Sequence, residues 1–110
     1  MISVKDAKGN PYDAAKHWGV FGLMKLTEEQ SQRITVNYSY FQPNGGAEMS
    51  SSPKERVYYV VNGSITVNGK GDESHVLNKG DMIYIAPGEE RDMAINDGKP
   101  AEVLVIIVTP

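Results

Sequence analysis

No cysteine occurs in the chain, which excludes disulfides, thiolate metal sites and a cysteine nucleophile. Histidine is almost as scarce, with only His17 and His75, whereas transition-metal sites usually combine several imidazole or carboxylate groups. Basic residues are outnumbered by acidic ones, 11 to 14, and the pI is near 5.3. There is no cluster of Lys and Arg of the kind a nucleic-acid surface needs. No apolar run is long enough to span a bilayer, and "MISVKDAKGN" lacks the apolar core of a signal peptide. A cytoplasmic protein without membrane or nucleic-acid partners is the expectation. What is present, 40% hydrophobic and 23% charged residues over 110 positions, describes one ordinary globular domain.

Residues 1–33 differ in character from the rest. "DAAKHWGVFGLMKLTEEQSQ" mixes helix formers with two glycines and reads as an irregular arm, with room for one short helix or strand. From Ile34 to Pro110 the chain is β-like. "ITVNYSYF" alternates, with Ile34, Val36, Tyr38 and Tyr40 on one apolar face. "PNGG", "NG", "GKGDE", "KGD", "PGEE" and "DGKP" then punctuate a series of short apolar segments. Roughly seven or eight strands at ten-residue intervals predict an all-β sandwich or barrel.

Asn62-Gly63 reads as a two-residue hairpin turn between "RVYYVV" and "SITVN". In that register Arg56, Tyr58, Val60, Ile65 and Val67 share one face, apolar on both strands and the better core candidate. The same parity in "RDMAIN" groups Arg91, Met93 and Ile95. Two arginines therefore begin inward rows, each just after a turn. The opposite row, Val57, Tyr59 and Val61, is also apolar and needs covering by a sheet, by the arm or by a second subunit.

Two blocks resemble the conserved motifs of the cupin superfamily. "GGAEMSSSPKERVYYVVNG" is similar to the first: a glycine, His-x-His, an acid, six residues and a glycine. "GDMIYIAPGEERDMAIN" is similar to the second: Gly-Asp, a β-run ending in Pro-Gly, a histidine and an asparagine. The resemblance implies a double-stranded β-helix (jelly-roll) barrel over residues 34–110, with the arm packed on it or on a partner. It also implies a homodimer formed by sheet packing, in which Trp18 and Phe21 could take part.

The resemblance places the family's metal ligands at positions that carry other residues here. The acid falls at Arg56 and the second-motif histidine at Arg91. The paired histidines fall at Met49 and Ser51, or at Ser50 and Ser52 in a loop one residue shorter. A protonated guanidinium cannot coordinate a cation, and two would repel one. No metal or other cofactor is therefore expected. The expected ligand is a small organic anion, a carboxylate, bound by Arg56 and Arg91, with Tyr58, Ser51, Met49, Tyr38 and Tyr40 lining the site. Two alternatives stand beside this. The arginines could pair with Glu48, Glu55, Glu89, Glu90 or Asp92 for structural reasons alone. The protein could instead be an enzyme using an atypical metal site or metal-free acid–base chemistry, for example with Tyr58 as an acid. No Ser-His-Asp set, phosphate loop or dinucleotide fingerprint is visible.

Overall fold

The computed structural model describes residues 1–6 and 8–110. Nine strands and no helix occur among them: β1 (Asn10–Tyr12), β2 (His17–Leu26), β3 (Ile34–Ser50), β4 (Glu55–Asn62), β5 (Ser64–Asn68), β6 (Ser74–Asn78), β7 (Met82–Ile85), β8 (Arg91–Ile95) and β9 (Ala101–Val108). All ladders are antiparallel, in the order β6-β5-β8-β3-β9-β4-β7, with β2 also on β3 and β1 on β2. The result is the nearly closed all-β barrel that the strand spacing predicts.

The long strand β3 joins the two halves. Residues 34–41 pair with β9, and residues 46–50 pair with β8. The crossing point is Gly45-Gly46. A Cβ would stand 2.5 Å from the Gly19 carbonyl oxygen at position 45, and 2.6 Å from that of Met93 at position 46. Backbones approach so closely there that any side chain would be expelled.

Asn62-Gly63 does not close a hairpin, because β4 pairs with β7 and β9 while β5 pairs with β6 and β8. The turn is a corner at which the chain changes sheets. Gly63, at φ +82°, lies against the start of β9, where a Cβ would meet the Pro100 carbonyl oxygen at 2.6 Å. The inward face is nevertheless the expected one. Side-chain alternation belongs to each strand separately and does not depend on which strands pair. Val60, Ile65, Val67 and Val103 are fully buried, with Tyr58, Met93 and Phe41 around them.

The segment before residue 34 is more regular than its composition suggests. β2 runs along β3 from Leu26 opposite Val36 to His17 opposite Ala47. The glycines that read as interruptions are packing positions. Gly19 sits at φ +58° over Gly45, and a Cβ on Gly22 would stand 2.6 Å from the Tyr12 ring.

The parity of β3 is opposite to the one its apolar alternation suggests. Asn37, Ser39 and Phe41 face inward and are buried, while Tyr38 and Tyr40 lie on the outer face. There Tyr38 and Tyr40 pack 4.8 Å apart by ring centroid, with Phe21 against Tyr40. The Tyr38 hydroxyl donates to Glu102. Leu23, Tyr38, Leu104, Tyr59 and Met82 form one outer row across five strands, with Val36, Ile106, Val57 and Tyr84 in the next. Among the described residues no helix is long and apolar enough to cross a membrane.

Partial burial, with the Glu102 charge beside it, pushes the Tyr38 phenol from 10.0 up to about 12. The folded state thus holds this proton more tightly than the unfolded chain does. The associated stability is complete below pH 10 and is lost as pH rises through about 12. Tyr38→Phe is expected to flatten the alkaline fall in urea-unfolding stability over that window. A fall as steep in the variant as in the wild type would contradict this placement.

Candidate functional site

One cavity of about 350 Å³ opens inside the barrel between the inner face of β3–β9–β4, the start of β8 and the segment joining β1 to β2. Its floor is apolar, from Phe41, Met93, Val105 and Ile107. Polar groups stand on this floor in an order set by strand register. Arg56 and Tyr58 are on β4, with Asn37 and Ser39 two strands away on β3, across β9. Arg91 enters from β8, paired in register with Ser50. Residues 14–17 close one side and bring in Lys16 and His17.

Arg91 is held by acceptors on two sides. Its Nη1 donates to the Ser50 carbonyl oxygen at 2.9 Å, and its Nε donates to Tyr58 Oη at 3.3 Å. Arg56 is less satisfied, with its Nε buried and without a hydrogen-bond partner, as is Asn37 Oδ1. Among the described residues the ion pairs are Lys54–Glu28 and His75–Glu73, and neither involves these arginines. Of the acids that could have paired with them, the strand neighbours are turned away by the same alternation that turns the arginines in, and Glu89 and Glu90 lie in the turn before β8. Glu55 and Asp92 each occupy the neighbouring strand position, and Asp92 accepts from the Asn68 amide. Glu89 accepts from the Ala86 amide.

Tyr12 reaches the cavity through a gap in the sheet. Register aligns Tyr12, Gly22 and Ser39 across three strands. Because Gly22 has no side chain, the ring lies over that position. Burial raises the Tyr12 phenol above its ordinary value, while the neighbouring polar groups of Ser39 and Asn37 and the Arg56 charge oppose the rise. His17 Nδ1 is 2.6 Å from the Ala15 carbonyl oxygen, and its ring lies 6.4 Å from that of Phe41.

Of the residues that the sequence marks, Arg56, Arg91, Tyr58 and Ser51 meet around this cavity. Met49 is 43% exposed and does not line it, because the register shifts between Ala47 and Ser50 and makes Ser50 the partner of Arg91. Tyr38 and Tyr40 point to the outer face. Tyr12, Lys16, His17, Asn37 and Ser39 are functional candidates that sequence reasoning misses. The available signal is that Asn37 and Ser39 share parity with Phe41, the residue that β3 does bury. His75 lies away from this group, in a separate 160 Å³ cleft with Glu73, Glu89, Glu90 and the far side of Arg91.

The lining does not suit a divalent cation. It contains one lysine (Lys16), two arginines (Arg56 and Arg91), one imidazole and no carboxylate. Among the described residues no group of three or more His, Cys, Asp or Glu side chains is arranged to hold a metal. Its charged side chains are hydrogen-bond donors rather than the carboxylate and clustered imidazole ligands that transition-metal sites use.

Residues 37–107 match the family model for the cupin domain, and the chain belongs to that family. It is 32% identical over 81 residues to the Mycobacterium tuberculosis protein named beta-D-galactosidase Rv1717, an alignment covering 74% of this chain and 69% of that protein. The polyketide cyclase RemF from Streptomyces resistomycificus superposes with a TM-score of 0.84 at 18% identity, over 98% of this chain and 79% of that one. A Thermotoga maritima protein described as a predicted oxalate decarboxylase gives 0.85 at 16% identity, over 99% and 100%. At such identities these two structures speak to fold alone.

A Cβ at position 22 would collide with the Tyr12 ring, so Gly22→Ala is expected to displace Tyr12 from the cavity. Its phenol should then titrate closer to 10.0, the ordinary value. Tyrosine titration by NMR, assigned with Tyr12→Phe, checks this. An unmoved Tyr12 titration in Gly22→Ala would refute the arrangement.

Proposed function

We propose that the protein binds a small organic anion, a carboxylate, in the barrel cavity at the place where the family commonly holds a metal. The observation that carries this reading is the charge of the lining, with Lys16, Arg56 and Arg91 present and no Asp or Glu. A chain with net charge −3 has acids to spare, yet none neutralises these cations. Arg56 and Arg91 are half-buried, and Lys16 is exposed at the edge of the cavity; a partly desolvated guanidinium gains from a carboxylate partner, which a ligand can supply. Guanidinium forks match two carboxylate oxygens at once. The apolar floor suits the carbon skeleton of such a molecule, and 350 Å³ falls in the range of small-ligand pockets.

The name of the mycobacterial relative does not transfer easily to this cavity. Most glycoside hydrolysis uses two carboxyl groups flanking the bond, and this lining has none.

A thermal-shift series with short carboxylates, sugar acids, phosphates and divalent metals tests the proposal. Carboxylates are expected to stabilise, by about 2.7 kcal/mol at a hundredfold excess over Kd. Arg56→Ala and Arg91→Ala are each expected to weaken binding roughly tenfold or more. Stabilisation by metals alone, or carboxylate binding indifferent to both substitutions, would overturn it.

We also infer that a second copy of this chain covers the outer face of β2–β3–β9–β4–β7. Tyr59, Met82 and Tyr84 there are 41%, 55% and 53% exposed. Four strands paired over about eight to ten residues and the four-residue β7, at ~4.8 Å spacing, present on the order of 600 Å², close to the ~800 Å² per partner of a standard stable interface. Sedimentation is expected to give a dimer that Tyr59→Glu converts to monomer; a monomeric wild type at micromolar concentration would sink the idea.

A further inference from the structure

We propose that His17 is a general base in this cavity and that the protein catalyses reversible proton removal from the carbon beside the keto group of a small 2-oxo acid. The inference rests on the anion-binding reading and adds a reaction to it.

The ring lines the cavity while remaining exposed to solvent, and its tautomer is set by its own backbone. A carbonyl oxygen can only accept, so the 2.6 Å contact with Ala15 fixes the hydrogen of neutral His17 on Nδ1. Nε2 then carries the free lone pair. The turn that presents the ring is strained, since Lys16 has φ +60° without being glycine. It is pinned where the Glu48 amide donates to the Lys16 carbonyl oxygen at 2.9 Å. Strain of this kind, held by neighbouring structure, is concentrated at functional sites. No other imidazole and no carboxylate lines the cavity: the remaining ionisable lining groups are Lys16, two arginines and two phenols.

The same lining specifies the substrate. A carboxylate answers the guanidinium groups of Arg56 and Arg91. An adjacent keto group acidifies the neighbouring C–H and provides an oxygen to receive the electron pair. Without such a group, removal of that proton would load a second negative charge onto the carboxylate itself. Tyr58 Oη accepts from Arg91 Nε, so its own proton is directed elsewhere and is free for that oxygen. In the forward step the C3–H bond breaks and its proton passes to His17 Nε2. The C–H electron pair becomes the C2=C3 double bond, and the carbonyl pair moves to oxygen, which takes the Tyr58 proton. Reversal returns both protons, so nothing is oxidised or reduced and no co-reactant is consumed.

The experiment follows 2-oxobutanoate in D₂O with a chelator present, reading loss of the C3 methylene signal by proton NMR beside the thermal shift that the same acid produces. Wild type is expected to accelerate exchange. His17→Gln should slow it by roughly 100-fold or more while keeping the acid-induced shift, and added imidazole should restore part of the rate. Binding without exchange, or exchange that survives in His17→Gln, overturns the base assignment and leaves anion binding intact. A protein stabilised by other carboxylates but not by 2-oxobutanoate overturns the substrate class. Silence toward every carboxylate removes the anion reading itself.

Discussion

A guanidinium group cannot shed its proton at any pH a cell offers, so a fold that turns two of them inward must find acceptors for them. In this barrel the acceptors are few. Arg91 uses the Ser50 carbonyl and the Tyr58 hydroxyl, both neutral, and Arg56 Nε has none. Glu55 and Asp92, their strand neighbours, are turned to the other face by alternation, and no acid lines the cavity itself. The cavity is the space these unneutralised charges keep polar within an otherwise apolar barrel. The buried Asn37 and Ser39 on its far wall fit the same description, being polar groups where a sandwich core would place aliphatic ones.

Much of the architecture could be read from the chain. The turn residues delimit the strands, and alternation within β4, β5 and β8 identifies the buried face, including the inward direction of Arg56 and Arg91. The two motif-like blocks locate the place where those arginines meet. Strand pairing was less legible. Asn62-Gly63 has hairpin chemistry, yet it turns a corner between sheets, because a positive-φ glycine serves either geometry and only long-range packing decides between them.

The inward face of β3 is hidden for a related reason. Apolar alternation marks the inner face only when the outer face is wet. Here the outer face of Tyr38 and Tyr40 is itself apolar, while the inner face is partly polar around the cavity. The contribution of residues 12–17 was hidden because it depends on what is missing. Tyr12 reaches the cavity through the absent side chain of Gly22, and nothing in a local window distinguishes that glycine from a loop residue.

The position of β9 bears on how the molecule is made. It is the last of the nine strands to be synthesised, yet it lies between β3 and β4 and is hydrogen-bonded to both. Until it emerges from the ribosome, two apolar strands wait with open edges and the walls of the barrel cannot join. Such non-local closure slows folding and leaves edges exposed to aggregation. A nascent chain of this design would need its final eight-residue strand, rather than any early hairpin, to commit to the native state.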